Sequence, residues 1–232
     1  MSVALADLFF TSFGETLLMV GASCLIGTAL GIPLGIVLYS SGRHQRYPAS
    51  RLTLAASYLT HALRATPSIV ILVMAIPFTH FVLEASGGLT AALIPLSIIA
   101  TPFVARQTET ALRCASSQAI DESIKAGTAA PLRTRELLPR AAPGIVAGLG
   151  LTVACLVGYS TLAGALGGGG LGSFGMQYGY SEFRPVLLMA VVLVLIALAE
   201  SAQALGYAVA QRLDAELAQP TRRRFLMSGR SR

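Results

Sequence analysis

Residues 16–39 have the sequence TLLMVGASCLIGTALGIPLGIVLY, a run of 24 residues without a charged side chain. An α-helix needs about 20 apolar residues to cross the hydrocarbon core of a bilayer, so this run predicts a membrane-spanning helix. The run is too long for the core of a secretory signal peptide, and no Lys or Arg precedes it. A cleaved signal is therefore not expected.

Four further apolar runs follow, at about 66–83, 85–105, 143–166 and 185–205. The composition agrees: 54% of the 232 residues are hydrophobic and only 12% are charged, whereas soluble domains carry about 25% charged residues. An ordinary soluble enzyme is excluded, and the predicted fold class is an all-α integral membrane protein with five transmembrane helices. Because the second and third runs contain prolines, a re-entrant hairpin in their place stays open.

The basic residues are strongly segregated along the chain. Fifteen of the 17 Lys and Arg lie in the loops between runs one and two and between runs three and four, or after run five; the other two are Arg64, at the mouth of run two, and Arg184, between runs four and five. Such loops face the cytoplasm, so the N-terminus is expected outside and the C-terminus inside. Three parts follow: an outer segment 1–13, a transmembrane domain 14–205 and a basic cytoplasmic tail 206–232, whose arginines attract anionic lipid but are too few to indicate nucleic-acid binding.

The number and composition of the spans bear on the energy source. Five spans cannot divide into two inverted repeats, which favours pairing with a second copy over a self-contained carrier. No acid lies in the middle of a span, and no phosphate-binding lysine motif is present. We therefore expect a separate ATPase to drive the protein. The His, Cys and acid residues show no catalytic or metal-binding spacing, so a membrane enzyme lacks support.

The longest predicted cytoplasmic loop, 106–142, has strong helix signals. Ser117 suits a helix N-cap, and Gly127 suits a helix stop. Pro131 suits the first turn of a second short helix that ends at Pro139. The loop is therefore expected to form two short helices joined by a tight turn, with a plain solvated connection as the alternative.

The stretch DESIKAGTAAPLRTRELLP (121–139) resembles the cytoplasmic loop of permease subunits in type I ABC importers. That loop has the pattern E-A-A, a Gly and then Leu-Pro, and the resemblance implies that it couples to the ATPase subunit. The corresponding residues here are Asp121, Glu122, Ser123, Gly127, Leu138 and Pro139. Because the first position holds Asp and the spacing to Pro139 is about one residue short, either Asp121 or Glu122 can be the functional acid.

Three longer stretches are similar to permeases of methionine importers: LRATPSIVILVMAIPFT (63–79), TPFVARQTETAL (101–112) and VGYSTLAGALGGGGLGSFGMQYGY (157–180). The resemblance runs from about Glu15 to Leu205. It implies a type I ABC permease fold in the bacterial inner membrane, with 1–13 in the periplasm. It also implies three protein partners: a second copy, an ABC ATPase dimer and a periplasmic or lipoprotein substrate-binding protein. ATP and Mg would bind to the ATPase, and this chain would bind no cofactor.

Five side chains are candidates for the translocation pathway or its gate: Arg64, Thr152, Tyr159, Ser160 and Met176. Each also has an ordinary structural role. Arg64 can extend its charge to the membrane surface, the hydroxyls can bond between helices, and Met fills gaps. The function predicted is a methionine importer permease. A permease for another amino acid or small solute is the first alternative, and a stand-alone carrier or channel is the second.

Overall fold

The structure is a computed structural model that describes residues 3–43, 70–74, 88–125 and 134–228, together with residues 58 and 62. All regular structure in these residues is helical, as predicted. Four long helices dominate: α1 (Val3–Arg43), α2 (Leu89–Lys125), α3 (Thr134–Ala163) and α5 (Pro185–Ser228). A short helix, α4 (Gly170–Phe174), lies between two π-helical stretches, Gly164–Gly168 and Gly175–Ser181.

Within the described residues, four helical stretches are long and apolar enough to cross a membrane: Leu5–Ser40, Ala91–Ile124, Glu136–Gly168 and Pro185–Glu216. They cover predicted runs one, three, four and five. Run two, 66–83, lies outside the described residues except for the helical residues 70–74. The fifth crossing therefore stays a prediction.

The helices extend well beyond the predicted runs. Helix α1 begins at Val3, because residues 4–13 contain one acid and no Gly or Pro that would stop a helix. Helix α5 continues from the fifth span to Ser228, through most of the region predicted as a tail. With a rise of about 1.5 Å per residue, a helix of this length exceeds the roughly 30 Å hydrocarbon core.

Two predictions for the loop 106–142 are wrong. Ser117 caps no helix, because α2 runs without interruption to Lys125. The second short helix does not end at Pro139, because α3 begins at Thr134 and continues past that residue. Pro139 is the sixth residue of α3, where it removes one intrahelical hydrogen bond, yet the helix continues past it. The two short helices are the ends of two long ones.

Small residues allow α1 and α2 to pack closely. A Cβ on Gly27 would lie 2.5 Å from Cβ of Ala100, and one on Gly35 would lie 2.5 Å from the carbonyl oxygen of Ala105. Gly31, midway between them, meets α2 in the same way. This spacing of four residues is the small-xxx-small pattern of membrane helix pairs. On the other side of the molecule α5 packs mainly on α3.

Among the described residues, three apolar clusters hold the helices together. The central one joins α1, α2 and α3 and has Met19, Leu96, Ile99, Leu156 and Val157 among its buried members. A second lies where α2 meets α3, and a third surrounds α4. The second and third clusters fix the two regions that carry the candidate sites.

Candidate functional site

The first candidate site is the α2–α3 end, which we define as residues 116–124 of α2 and 136–141 of α3. Its base is buried: Leu137 is fully enclosed by a cluster that includes Tyr39, Leu112, Ala119 and Ala141. This cluster fixes the ends of both helices against the end of α1. The exposed surface of this end therefore rests on a well-packed apolar core.

A salt bridge links the two helices at this end. The guanidinium of Arg140 on α3 donates to Oε2 of Glu122 on α2, at 2.8 Å. Asp121, the neighbouring residue, instead lines a cavity of about 360 Å³ whose walls also include Tyr39 and Arg113. The structure thus separates the two candidate acids: Glu122 contacts α3, whereas Asp121 lies beside the end of α1.

The outer surface of the α2–α3 end is apolar. Ile120, Ile124 and Leu138 are all exposed, with 72% of Ile124 accessible to solvent. Ser123 donates its hydroxyl to the carbonyl of Ile120 and so stays on its own helix. Pro139 is exposed, whereas Gly127 lies outside the described residues. Exposed branched side chains on a supported platform are suited to contact another protein.

An ionic cluster on α2 was not among the predicted site residues. Glu109, with only 10% of its side chain exposed, bonds Arg106 at 2.9 Å and Arg113 at 2.7 Å. Its neighbours at i−3 and i+4 are both arginines, a spacing that stabilises a helix surface and could have identified the cluster from the sequence. The two arginines neutralise the buried carboxylate, which would otherwise be costly to bury.

The four pathway candidates that the structure describes do not form one site. The hydroxyls of Thr152 and Ser160 are buried and donate to carbonyls of α3 itself, at 2.8 Å each. Tyr159 meets Phe103 edge to face, whereas Met176 is exposed on the second π-helical stretch. Arg64 lies outside the described residues. Thr152 and Ser160 are about 12 Å apart along α3. A role of these candidates in the pathway stays a prediction.

The second candidate site is the glycine segment, defined as Gly164–Ser181. It contains a kink at Gly167, which has φ 96°. Two hydrogen bonds tie the segment to α1: the N–H groups of Gly170 and Leu171 donate to the side chains of Glu15 and Thr16. No local pattern in the sequence indicates these contacts, because 155 residues separate the partners.

An exposed aromatic residue ends this region. Phe183 has φ 52°, an unusual conformation for a residue other than glycine, and 89% of its surface is accessible. Its flanking residues, Glu182 and Arg184, form an ion pair at 3.1 Å. The turn therefore holds a large apolar side chain in solvent, at the start of α5.

Residues 31–215 match the family described as binding-protein-dependent transport system inner membrane component. The chain belongs to that family. The predicted family is thereby confirmed, and the chain is a multi-pass inner-membrane permease subunit with the all-helical ABC permease fold.

Relatives within this family are similar over most of their length. A probable D-methionine transport system permease protein of Vibrio cholerae serotype O1 is 36% identical over 211 residues, which cover 90% of this chain and 93% of the relative. Its counterpart in Haemophilus influenzae is 33% identical over 205 residues, with 88% and 96% covered.

Two solved structures share the fold of this chain. The permease of the MetNI methionine ABC transporter, in an inward-facing conformation, superimposes with a TM-score of 0.80 and 36% identity, over 92% of this chain and 99% of that one. An amino acid ABC transporter solved with histidines has a TM-score of 0.73 at 17% identity, over 90% of this chain and 96% of that one, and shares the fold.

Proposed function

We propose that this chain is the transmembrane subunit of an ATP-driven methionine importer. The observation that carries the proposal is the similarity to permeases named for D-methionine transport, which extends over nine-tenths of the chain at 36% identity. The structural similarity to the methionine transporter permease, at a TM-score of 0.80, supports the same cargo.

The proposed topology has five crossings, with the N-terminus in the periplasm and the C-terminus in the cytoplasm. Segregation of basic residues supports this orientation. Arg106, Arg113 and Arg140 all lie at or near the α2–α3 end, which would face the cytoplasm. The glycine segment and Phe183, at the opposite ends of α3 and α5, would then face the periplasm.

The α2–α3 end is the proposed contact with the ATPase subunits. Ile120, Ile124 and Leu138 would enter a cleft on the ATPase, and the buried cluster beneath them would transmit its movement to the spans. Glu122 is the proposed functional acid, because its bond to Arg140 joins the two helices that must move together. Ser123, Gly127 and Pro139 complete the proposed segment.

The proposed complex contains two copies of this chain, two ATPase subunits and a substrate-binding protein in the periplasm. ATP and Mg would bind to the ATPase subunits, and nucleotide would act by its different affinity for the two states of the complex. Substrate would pass between the two permease copies by alternating access.

The proposal is tested with the complex reconstituted in proteoliposomes that contain ATP. Uptake of radiolabelled L- and D-methionine is measured with and without the binding protein, together with ATP hydrolysis. We expect uptake and hydrolysis to rise together with the methionine-loaded binding protein. Uptake of a different amino acid but not of methionine would show that methionine is not the cargo. Uptake by the purified chain without the ATPase would indicate a stand-alone carrier.

A further inference from the structure

Two side chains of α1 bond consecutive backbone N–H groups of the glycine segment. The N–H of Gly170 donates to Oε2 of Glu15, and the N–H of Leu171 donates to Oγ1 of Thr16, each at 2.8 Å. The hydroxyl of Thr16 donates in turn to the carbonyl of Ser12 at 3.0 Å, so its oxygen is oriented to accept from Leu171. Both hydroxyl contacts are buried.

The glycine segment is shaped for these two side chains. Gly170 has φ 73°, and a Cβ there would lie 2.7 Å from Oγ1 of Thr16. Gly169 has φ 82°, and a Cβ there would lie 3.0 Å from Oε2 of Glu15. Both the backbone conformation and the close approach therefore require glycine. The backbone of the glycine segment is therefore complementary in shape to the side chains of Glu15 and Thr16.

Among the described residues, the N–H of Gly170 is the hydrogen-bond donor to the carboxylate of Glu15. Among the described residues it forms no salt bridge, although it is half-buried. Hydrogen bonds to an ionised carboxylate are shorter and about twice as strong as neutral ones. The Gly170 N–H thus supplies a directional interaction that fixes the segment relative to α1.

The glycine segment also connects α1 to the other long helices. The N–H of Gly88, beside the start of α2, donates to the carbonyl of Gly167 at 3.2 Å. The N–H of Arg184, beside the start of α5, donates to the carbonyl of Gly179 at 3.0 Å. A relative movement of these helix ends must therefore strain or break the contacts with Glu15 and Thr16.

We propose that Glu15 and Thr16 are positioning residues that latch the glycine segment to α1 when the periplasmic side is closed, and that the latch releases when that side opens to the binding protein. The inference rests on the proposed import function. The fold matches an inward-facing permease, in which the periplasmic side is the closed one. An apolar cluster around Leu171 and Phe174 also packs on α1, so the segment stays folded without the latch.

The first test measures ATP hydrolysis by the complete transporter in nanodiscs without its binding protein. Loss of the latch should favour the open state, so Glu15→Ala should raise this basal rate by about two- to tenfold, as expected for one hydrogen bond. Glu15→Gln, which keeps an acceptor but not the charge, should raise it less, and Thr16→Val should raise it as well. Asp7→Asn, an exposed acid two turns earlier on α1, is the matched control and should have no effect.

Hydrogen–deuterium exchange provides a second readout that does not depend on the cargo. Peptides covering 167–172 should exchange slowly in the nucleotide-free wild-type complex and faster after ATP and vanadate trapping. Unchanged exchange on trapping would overturn the latch, as would an unchanged basal rate in all three variants. Failure of methionine to stimulate the wild-type complex would overturn the proposed cargo and leave these two measurements interpretable.

Discussion

Neighbouring acids on α2 have different surroundings in the folded chain. Glu122 bonds Arg140 on α3, whereas Asp121 lines the cavity beside Tyr39. Position in the sequence motif left both acids as candidates. The salt bridge favours Glu122, because only this acid joins the two helices that flank the proposed coupling turn.

Charge exchange at this pair distinguishes an internal contact from a contact with the ATPase. Exposed ion pairs contribute about 0.2–1 kcal/mol, so Glu122→Arg or Arg140→Glu should lower ATP hydrolysis stimulated by the binding protein by up to about fivefold. The double variant, with the two charges exchanged, should recover most of the stimulation, and Asp121→Asn should keep it. If the double variant assembles into the complex but does not recover stimulated ATP hydrolysis, Glu122 contacts the ATPase instead.

At the scale of elements, contact between α1 and α2 depends on three glycines. Gly31 meets the carbonyl oxygen of Thr101, which a Cβ would approach to 2.8 Å, and Val104 lies as close. A backbone carbonyl cannot move aside as a flexible side chain can. Larger residues at this position must therefore push the two helices apart.

Gly31→Val should lower the thermal stability of the detergent-solubilised protein. Overpacking costs about 1–3 kcal/mol, and 1 kcal/mol shifts the melting temperature of a chain of this size by about 2–4 °C. Gly21→Val on the same helix is the matched control, because a Cβ there meets nothing within 4 Å. Fluorescence-detected thermal unfolding compares the two. Equal melting temperatures would show that α1 and α2 do not pack through Gly31.

Prediction from the sequence succeeded for the helical class and for the spans described, because charge-free apolar runs are a local signal. It failed for the helix ends predicted at Ser117 and Pro139. Both residues lie inside longer helices, because tertiary packing outweighs these local signals. Arg106 and Arg113 were detectable as helical neighbours of Glu109. The bond of Glu15 to Gly170 was not, because only the folded chain brings these residues together.

At the scale of the whole molecule, the four described spans differ in burial. Of the 18 most apolar consecutive residues in α2, 61% are buried, but in α5 only 6% are. Helix α2 is therefore the centre of the chain, and α5 is peripheral, with its apolar side chains left for lipid or another protein. Movement applied at the end of α2 reaches the core directly, which suits the proposed coupling role.

The number of crossings can be tested with single cysteines. Five crossings place Asp7 and Phe183 on the same side of the membrane, because four crossings separate them, whereas a chain without the span at 66–83 would place them on opposite sides. Both residues are exposed, as is the native Cys114 near the proposed cytoplasmic end of α2. These three positions therefore report both parity and orientation.

In a background without Cys24, Cys114 and Cys155, we expect a membrane-impermeant maleimide to label Asp7→Cys and Phe183→Cys in intact spheroplasts. Cys114, kept as the only cysteine, should react only in inverted vesicles, because the basic residues around it hold that end in the cytoplasm. Arg212→Cys on α5 is a second cytoplasmic reporter, because Arg212 is exposed. Opposite labelling of Asp7→Cys and Phe183→Cys would rule out five crossings. Labelling of Cys114 in spheroplasts would reverse the orientation, and with it the assignment of the glycine segment to the periplasm.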